Sequence, residues 1–123
     1  MRLLGHTVLV VEDNFIIGED IAGLIADEGG SVIGPVPSLA EAIDVVSRTP
    51  GIDVAVLDVR LGNSAVYPLA AILRRNDVPF VFYSGEAPGS LHPDYRAEPF
   101  IAKPSPSDAL ISGLAWELAT RRA

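Results

Sequence analysis

Asp53-Val54-Ala55-Val56-Leu57-Asp58 constrains this chain more than any other stretch: four apolar residues run without a break between two acids. Turn residues bound it, Pro50-Gly51 before and Gly62-Asn63 after. So short an apolar run reads as a strand covered on both faces, which calls for a parallel sheet between two layers. Asp58 stands where the run ends, and open α/β sheets gather their chemistry at the carboxyl ends of strands. The first apolar run, His6-Thr7-Val8-Leu9-Val10-Val11, also ends in acids, Glu12 and Asp13. The central expectation is that the two strand ends are neighbours and that three carboxylates share one cleft.

The rest of the chain alternates strand and helix. After a strand at residues 7–11, a helix is predicted at 15–28, with Asn14 as N-cap, Ile17, Ile21, Leu24 and Ile25 facing the sheet, and Gly29-Gly30 as its stop. A weaker strand at 31–34 is expected to end at Pro35. Ser38, with Glu41 three positions on, opens a second helix whose stripe is Leu39, Ala42, Ile43 and Val46. Residues 59–64 read as a loop. A helix over 65–75 buries Val66, Leu69, Ala70 and Leu73 and tolerates Pro68 only because it falls in the first turn. A fourth strand lies at 79–83.

Residues 86–96 hold Pro88, Gly89 and Pro93 without an apolar period, so where alternation calls for a helix the sequence predicts a loop or one short turn. Leu91 and Tyr95 there read either as partner contacts or as ordinary packing. Phe100-Ile101-Ala102 is a short fifth strand. The last helix is expected to start on Ser105, with Pro106 at its first position and Asp108 completing a capping box. Leu110, Ile111, Leu114 and Leu118 line it, Gly113 suits either close packing or nothing, and Arg121 and Arg122 suit the negative end of its dipole. The predicted class is α/β: a (βα)5 flavodoxin-like chain with a five-stranded parallel sheet of order 2-1-3-4-5, helices on both faces, and a short or irregular fourth helix. One domain is expected over 1–123, its body at about 6–120.

Bulk properties remove several function classes. The formal charge is -7 with no basic stripe, which disfavours nucleic acid as a partner. No cysteine is present, so disulfides and thiolate chemistry are excluded. The start of the chain is too short for a signal peptide and no run approaches membrane-spanning length, so a cytoplasmic location without a membrane partner is expected.

Clustered carboxylates repel unless a cation lies among them, and a hard, oxygen-seeking ion such as Mg²⁺ suits Glu12, Asp13 and Asp58. Mn²⁺ is a second choice. Two further strand ends add a hydroxyl, Ser84, and an ammonium, Lys103. A phosphoryl group on Asp58 needs such partners: a metal, a cation and a hydrogen-bond donor.

Val10-Val11-Glu12-Asp13, Val56-Leu57-Asp58, Tyr83-Ser84-Gly85 and Ala102-Lys103-Pro104, in that order, resemble the receiver domain of two-component response regulators. The resemblance implies that Asp58 accepts a phosphoryl group from a sensor histidine kinase or histidine phosphotransfer protein. It implies Asp13 and Asp58 as direct magnesium ligands, Glu12 through a water, and the backbone carbonyl of Arg60 as a further ligand. Ser84 and Lys103 would contact the phosphoryl group, Ser84 and Phe100 would switch on phosphorylation, and Lys103-Pro104 would be cis. Arg60, two positions past the acceptor, and Glu86 would modulate hydrolysis by water.

Phe82-Tyr83-Ser84-Gly85, Pro99-Phe100 and Leu57-Asp58-Val59-Arg60-Leu61 are similar to the alphaproteobacterial stand-alone receivers with a Phe-Ala-Thr-Gly-Tyr-like signature, which are linked to stress phosphorelays. Tyr83 stands for the alanine, Ser84 for the threonine and Glu86 for the tyrosine. The expected state is a monomer or weak homodimer that signals to a protein effector. Three alternatives stay open. One is a pseudo-receiver that binds protein without phosphorylation. Another is a phosphotransferase of haloacid-dehalogenase type, disfavoured because Arg60 stands where that family needs an acid. The third is an N-terminal piece of a longer regulator.

Overall fold

The computed structural model describes residues 1–121. In chain order the elements are β1 (Thr7–Val11), α1 (Phe15–Asp27), β2 (Ser31–Val36), α2 (Leu39–Arg48), β3 (Val54–Leu57), β4 (Arg60–Leu61), β5 (Ser64–Ala65), α3 (Tyr67–Arg75), β6 (Phe80–Ser84), β7 (Phe100–Ala102) and α4 (Ser107–Arg121). The main sheet is parallel, in the order β2-β1-β3-β6-β7. Counting its five strands alone, this is the predicted 2-1-3-4-5. No helix among the described residues is long and apolar enough to cross a membrane.

Alternation along the strands feeds two cores. Leu9, Val11, Ala55, Leu57, Phe80 and Phe82 pack under α2 and α3. Val8, Val10, Val54, Val56 and Val81 pack under α1 and α4 with Ile21, Ile25, Leu110 and Leu114. β3 is buried throughout, as its unbroken apolar run requires. The acid at its other end is structural: Thr7 N donates to Asp53 Oδ2 at 2.8 Å, which fixes the start of β1 beside β3. Asn14 caps α1 by accepting from Ile17 N at 3.0 Å, and Ser38 caps α2 by accepting from Glu41 N at 3.2 Å.

Three local expectations are corrected. β2 runs through Pro35 to Val36, with a register shift between Leu9 and Val11 on its partner. β2 is an edge strand, where the missing proline N–H need not cost a ladder bond. The loop at 59–64 contains an antiparallel pair, Arg60 with Ala65 and Leu61 with Ser64, which delays α3 to Tyr67. Ser105 does not cap the last helix: α4 starts at Ser107, and the buried Ser105 Oγ has no hydrogen-bond partner among the described residues. Asp108 accepts from Arg2 Nη2 at 2.7 Å and from Ser112 Oγ at 3.1 Å. The expected role of the Arg121 and Arg122 side chains lies outside the described residues. Gly113 does serve close packing, since a Cβ there would stand 3.0 Å from Ile101 Cδ1.

Residues 86–96 form no α-helix, as the sequence predicts, and hold two short 3₁₀ turns where one was expected, Pro88–Ser90 and Pro93–Tyr95. Side chains take the place of helical hydrogen bonds: Arg96 donates to the carbonyls of Leu91 and Gly89, and Tyr67 Oη accepts from His92 N at 2.9 Å. Leu91 and Tyr95 are core residues, not partner contacts. The Tyr95 ring stacks on Tyr67 at 5.2 Å, meets Phe82 edge-on at 6.3 Å, and carries the Arg74 guanidinium 4.3 Å from its centroid. Tyr95→Ala is therefore expected to cost about 3–5 kcal/mol, as for other large-to-small changes at a buried aromatic. Urea unfolding would measure it, and a loss under about 1 kcal/mol would show that the segment is not anchored through this ring.

Candidate functional site

The carboxyl ends of four adjacent strands meet at one edge. Asp58 N donates to Val11 O at 3.0 Å, which aligns the ends of β3 and β1, and Lys103 N donates to Ser84 O at 2.9 Å, which aligns β7 with β6. The ladders thus bring Glu12, Asp13, Asp58, Ser84 and Lys103, up to 91 positions apart, to one place. Lys103 Nζ donates to Glu12 Oε1 and, at 3.0 Å, to Asp58 Oδ2. Asn14 N donates to Glu12 Oε2 at 3.2 Å. Glu12 and Asp58 are buried and Asp13 is exposed, and one carboxylate oxygen from each lies within 4.8 Å of the others.

Asp13, Asp58, Arg60, Ser84, Gly85 and Glu86 line an open cleft. Arg60 Nε stands 3.7 Å from Glu86 Oε1 across it. The Ser84 hydroxyl is buried and accepts from Glu86 N at 3.2 Å. Phe100 is half-buried and packs on the core under α2 and α3. Lys103-Pro104 is cis, as expected, and so is Gly34-Pro35, which no sequence signal indicated. A further site contact was not read from the sequence: Gly62 N, in the β4–β5 turn, donates to Asp13 Oδ2 at 2.8 Å. Only the tertiary path of that turn brings its amide to the first strand's end.

The electrostatics follow from two buried acids sharing one ammonium. Burial pushes the Glu12 carboxyl up to about 7 against the opposing hydrogen bonds of Lys103 and Asn14, and the charge of Asp58 adds to the rise. Burial works against the charge of Lys103, but hydrogen bonds to Glu12 and Asp58 outweigh it and hold the ammonium above its ordinary range. Since Glu12 binds its proton more tightly in the folded chain than at its ordinary 4.5, the metal-free protein loses stability as pH rises from about 4.5 through about 7. The thermal midpoint with chelator present is expected to fall by on the order of 5 °C between pH 5 and pH 8. Glu12→Gln removes that slope, and an unchanged slope in Glu12→Gln would refute its origin in this residue.

Three carboxylates supply the hard, anionic oxygens that a divalent cation such as magnesium takes, so the donor set fits that ion. The adjoining lysine and hydroxyl suit a tetrahedral anion beside it.

No protein-family model matches the chain, and no curated protein matches it. Solved structures do. The chain is similar to the response regulator receiver protein from Sinorhizobium medicae WSM419, at 28% identity and a TM-score of 0.82 over 94% of this chain and 96% of that one. It is similar to SdrG from Sphingomonas melonis Fr1, at 31% identity and a TM-score of 0.78 over 100% of this chain and 99% of the other. The response regulator PhyR from Brucella abortus shares the fold at 21% identity, with a TM-score of 0.83 over 98% of this chain and 51% of its own length.

Proposed function

The chain is a response-regulator receiver domain, and we propose that it accepts a phosphoryl group on Asp58 from the phosphohistidine of a sensor kinase or phosphotransfer protein. One observation carries this reading: Lys103 Nζ bridges Glu12 and Asp58, and Asp58 in turn lines an open cleft with Asp13 and Ser84. An Asp58 oxygen attacks phosphorus, the phosphorus–nitrogen bond breaks, and its electron pair stays on the imidazole, which takes up a proton. The product is an acyl phosphate. Lys103 compensates charge on the transferring oxygens, and the Ser84 hydroxyl donates to one of them. Asp13 and Asp58, Glu12 through a water, and the Arg60 carbonyl would hold Mg²⁺, which supplies further charge neutralisation when bound.

The acyl phosphate adds roughly two negative charges. When Ser84 turns toward them, the Glu86 amide loses its acceptor, and Phe100 repacks on the core beneath. Residues 86–96 then present the changed surface to a protein effector. We group the chain with the stand-alone receivers on the Phe82-Tyr83-Ser84-Gly85 and Leu57–Leu61 stretches. A monomer or weak homodimer over 1–123, acting in the cytoplasm without nucleic acid, completes the reading.

Incubation with acetyl phosphate and intact-mass analysis tests it: a gain of one phosphoryl group with Mg²⁺ and none with chelator is expected. No gain from acetyl phosphate or from phosphohistidine donors, with no Mg²⁺ binding, would replace it with the pseudo-receiver. Arg60 and Glu86, paired across the cleft, set the lifetime of the acyl phosphate by limiting water's approach. Arg60→Ala is expected to shorten the dephosphorylation half-life by about threefold, the weight of one solvent-exposed charged contact, and equal half-lives would remove Arg60 from this role.

A further inference from the structure

We propose that Tyr83 is a positioning residue whose ring seats the Lys103 ammonium against Glu12 and Asp58; its consequence for phosphoryl transfer rests on the receiver chemistry above. Tyr83 is paired with Ile101 in the β6–β7 ladder. Its neighbour Phe82 belongs to the core under α2 and α3, whereas Tyr83 packs against the core under α1 and α4. From there its ring centroid lies 5.5 Å from Lys103 Nζ. The ammonium therefore meets carboxylates from Glu12 and Asp58 and an aromatic face from Tyr83, with the Lys103 side chain only 14% exposed.

The chemistry of that third contact matters. A cation within about 6 Å of a ring centroid is drawn to the negative face of the ring, more strongly when both are withdrawn from water. Unlike a third carboxylate, the ring adds attraction without a competing acceptor, so both Lys103 hydrogen bonds to the acids persist. The ring also has a steric role. Tyr83 and Lys103 share a groove with Ile17, Leu24 and Pro104. Shortened to alanine, position 83 would deepen this groove beside the four-carbon lysine stem and give it room to fold away from Asp58. The similar signature has alanine here, so the ring is a feature of this chain and not of the resemblance.

The test compares the full chain with Tyr83→Phe and Tyr83→Ala. Phenylalanine keeps the face of the ring and alanine removes it. In metal-free protein labelled with carbon-13, the Lys103 ε-methylene protons are expected upfield of free lysine in the native chain and in Tyr83→Phe. In Tyr83→Ala they should return toward the free value. With acetyl phosphate and Mg²⁺, the rate of phosphoryl gain should stay within about twofold in Tyr83→Phe and fall about tenfold in Tyr83→Ala, the weight of one desolvated cation–π contact.

A residue that merely fills space would lower the melting temperature in Tyr83→Ala and leave the lysine resonances where they were. An unmoved ε-methylene signal therefore overturns the proposal, whatever the rates. Equal rates in the native chain and Tyr83→Ala overturn it as well. If the native chain gains no phosphoryl group from acetyl phosphate or from phosphohistidine donors and binds no Mg²⁺, the receiver chemistry fails, and the ε-methylene signal by itself decides for or against the seat.

Discussion

Asp58→Asn is expected to abolish phosphoryl gain from acetyl phosphate in the presence of Mg²⁺. The amide oxygen carries no full negative charge and cannot yield an acyl phosphate, so the effect is loss and not slowing. The substitution is nearly isosteric, and it takes one negative charge from a buried pair of acids. Glu12 then shares Lys103 with a neutral neighbour, and one cause of its raised pKa disappears. The melting temperature of Asp58→Asn at pH 8 should therefore equal or exceed that of the native chain, which separates lost chemistry from lost folding. Asp53→Asn, at the opposite end of the same strand, is the control. Its carboxylate accepts from Thr7 N, so that change should lower stability and leave phosphoryl gain intact. Full phosphorylation of Asp58→Asn would place the acceptor elsewhere and overturn the mechanism.

Lys103→Ala is expected to slow phosphoryl gain about 10²–10³-fold, the usual consequence of removing one preorganised donor from developing charge. Two accompanying effects have opposite signs. Stability falls, because Glu12 and Asp58 are left buried side by side without their cation. The fall should be larger at pH 8 than at pH 6, since at the lower pH Glu12 relieves the repulsion by keeping its proton. Mg²⁺ binding should tighten, since the ammonium no longer competes for the same oxygens. Calorimetric titration of Mg²⁺ into both proteins would show it. Weaker Mg²⁺ binding in Lys103→Ala would mean that the lysine organises the acids more than it competes for them. Lys103→Arg is not expected to restore the rate, because a planar fork cannot reproduce the point charge between two carboxylates.

Both expectations rest on residues that were legible in the sequence as strand ends. Asp58 closes an unbroken apolar run, Glu12 and Asp13 close another, and Ser84 and Lys103 follow two more. The fold was equally legible, because a run such as Val54–Leu57 is stable only when both faces are covered. What the sequence hid was local and depended on distant partners. Pro35 read as a strand terminator, yet β1 offers pairing out to Val36 on an edge where the missing N–H is tolerated. Ser105 and Asp108 had the spacing of a capping box, but the helix begins after Ser105 and Arg2 engages Asp108. Tyr95 stood in a segment without apolar period, and no periodicity can reveal a single ring that reaches the core from a 3₁₀ turn.

The order of apolar runs and turn residues in this chain determined the parallel sheet and the edge on which its acids, hydroxyl and ammonium gather, because burial of β3 allows few other arrangements. Tertiary structure decided how those groups engage: that Lys103 bridges Glu12 and Asp58, that the Gly62 amide holds Asp13, that Arg60 faces Glu86, and that Tyr83 lies beside the ammonium. The physical reason is one of range. Hydrophobic patterning acts through periods of two and 3.6 residues and can be read along the chain. A hydrogen bond or a cation–π contact depends on a few ångströms between groups as far apart as Glu12 and Lys103, and only the folded backbone sets that distance.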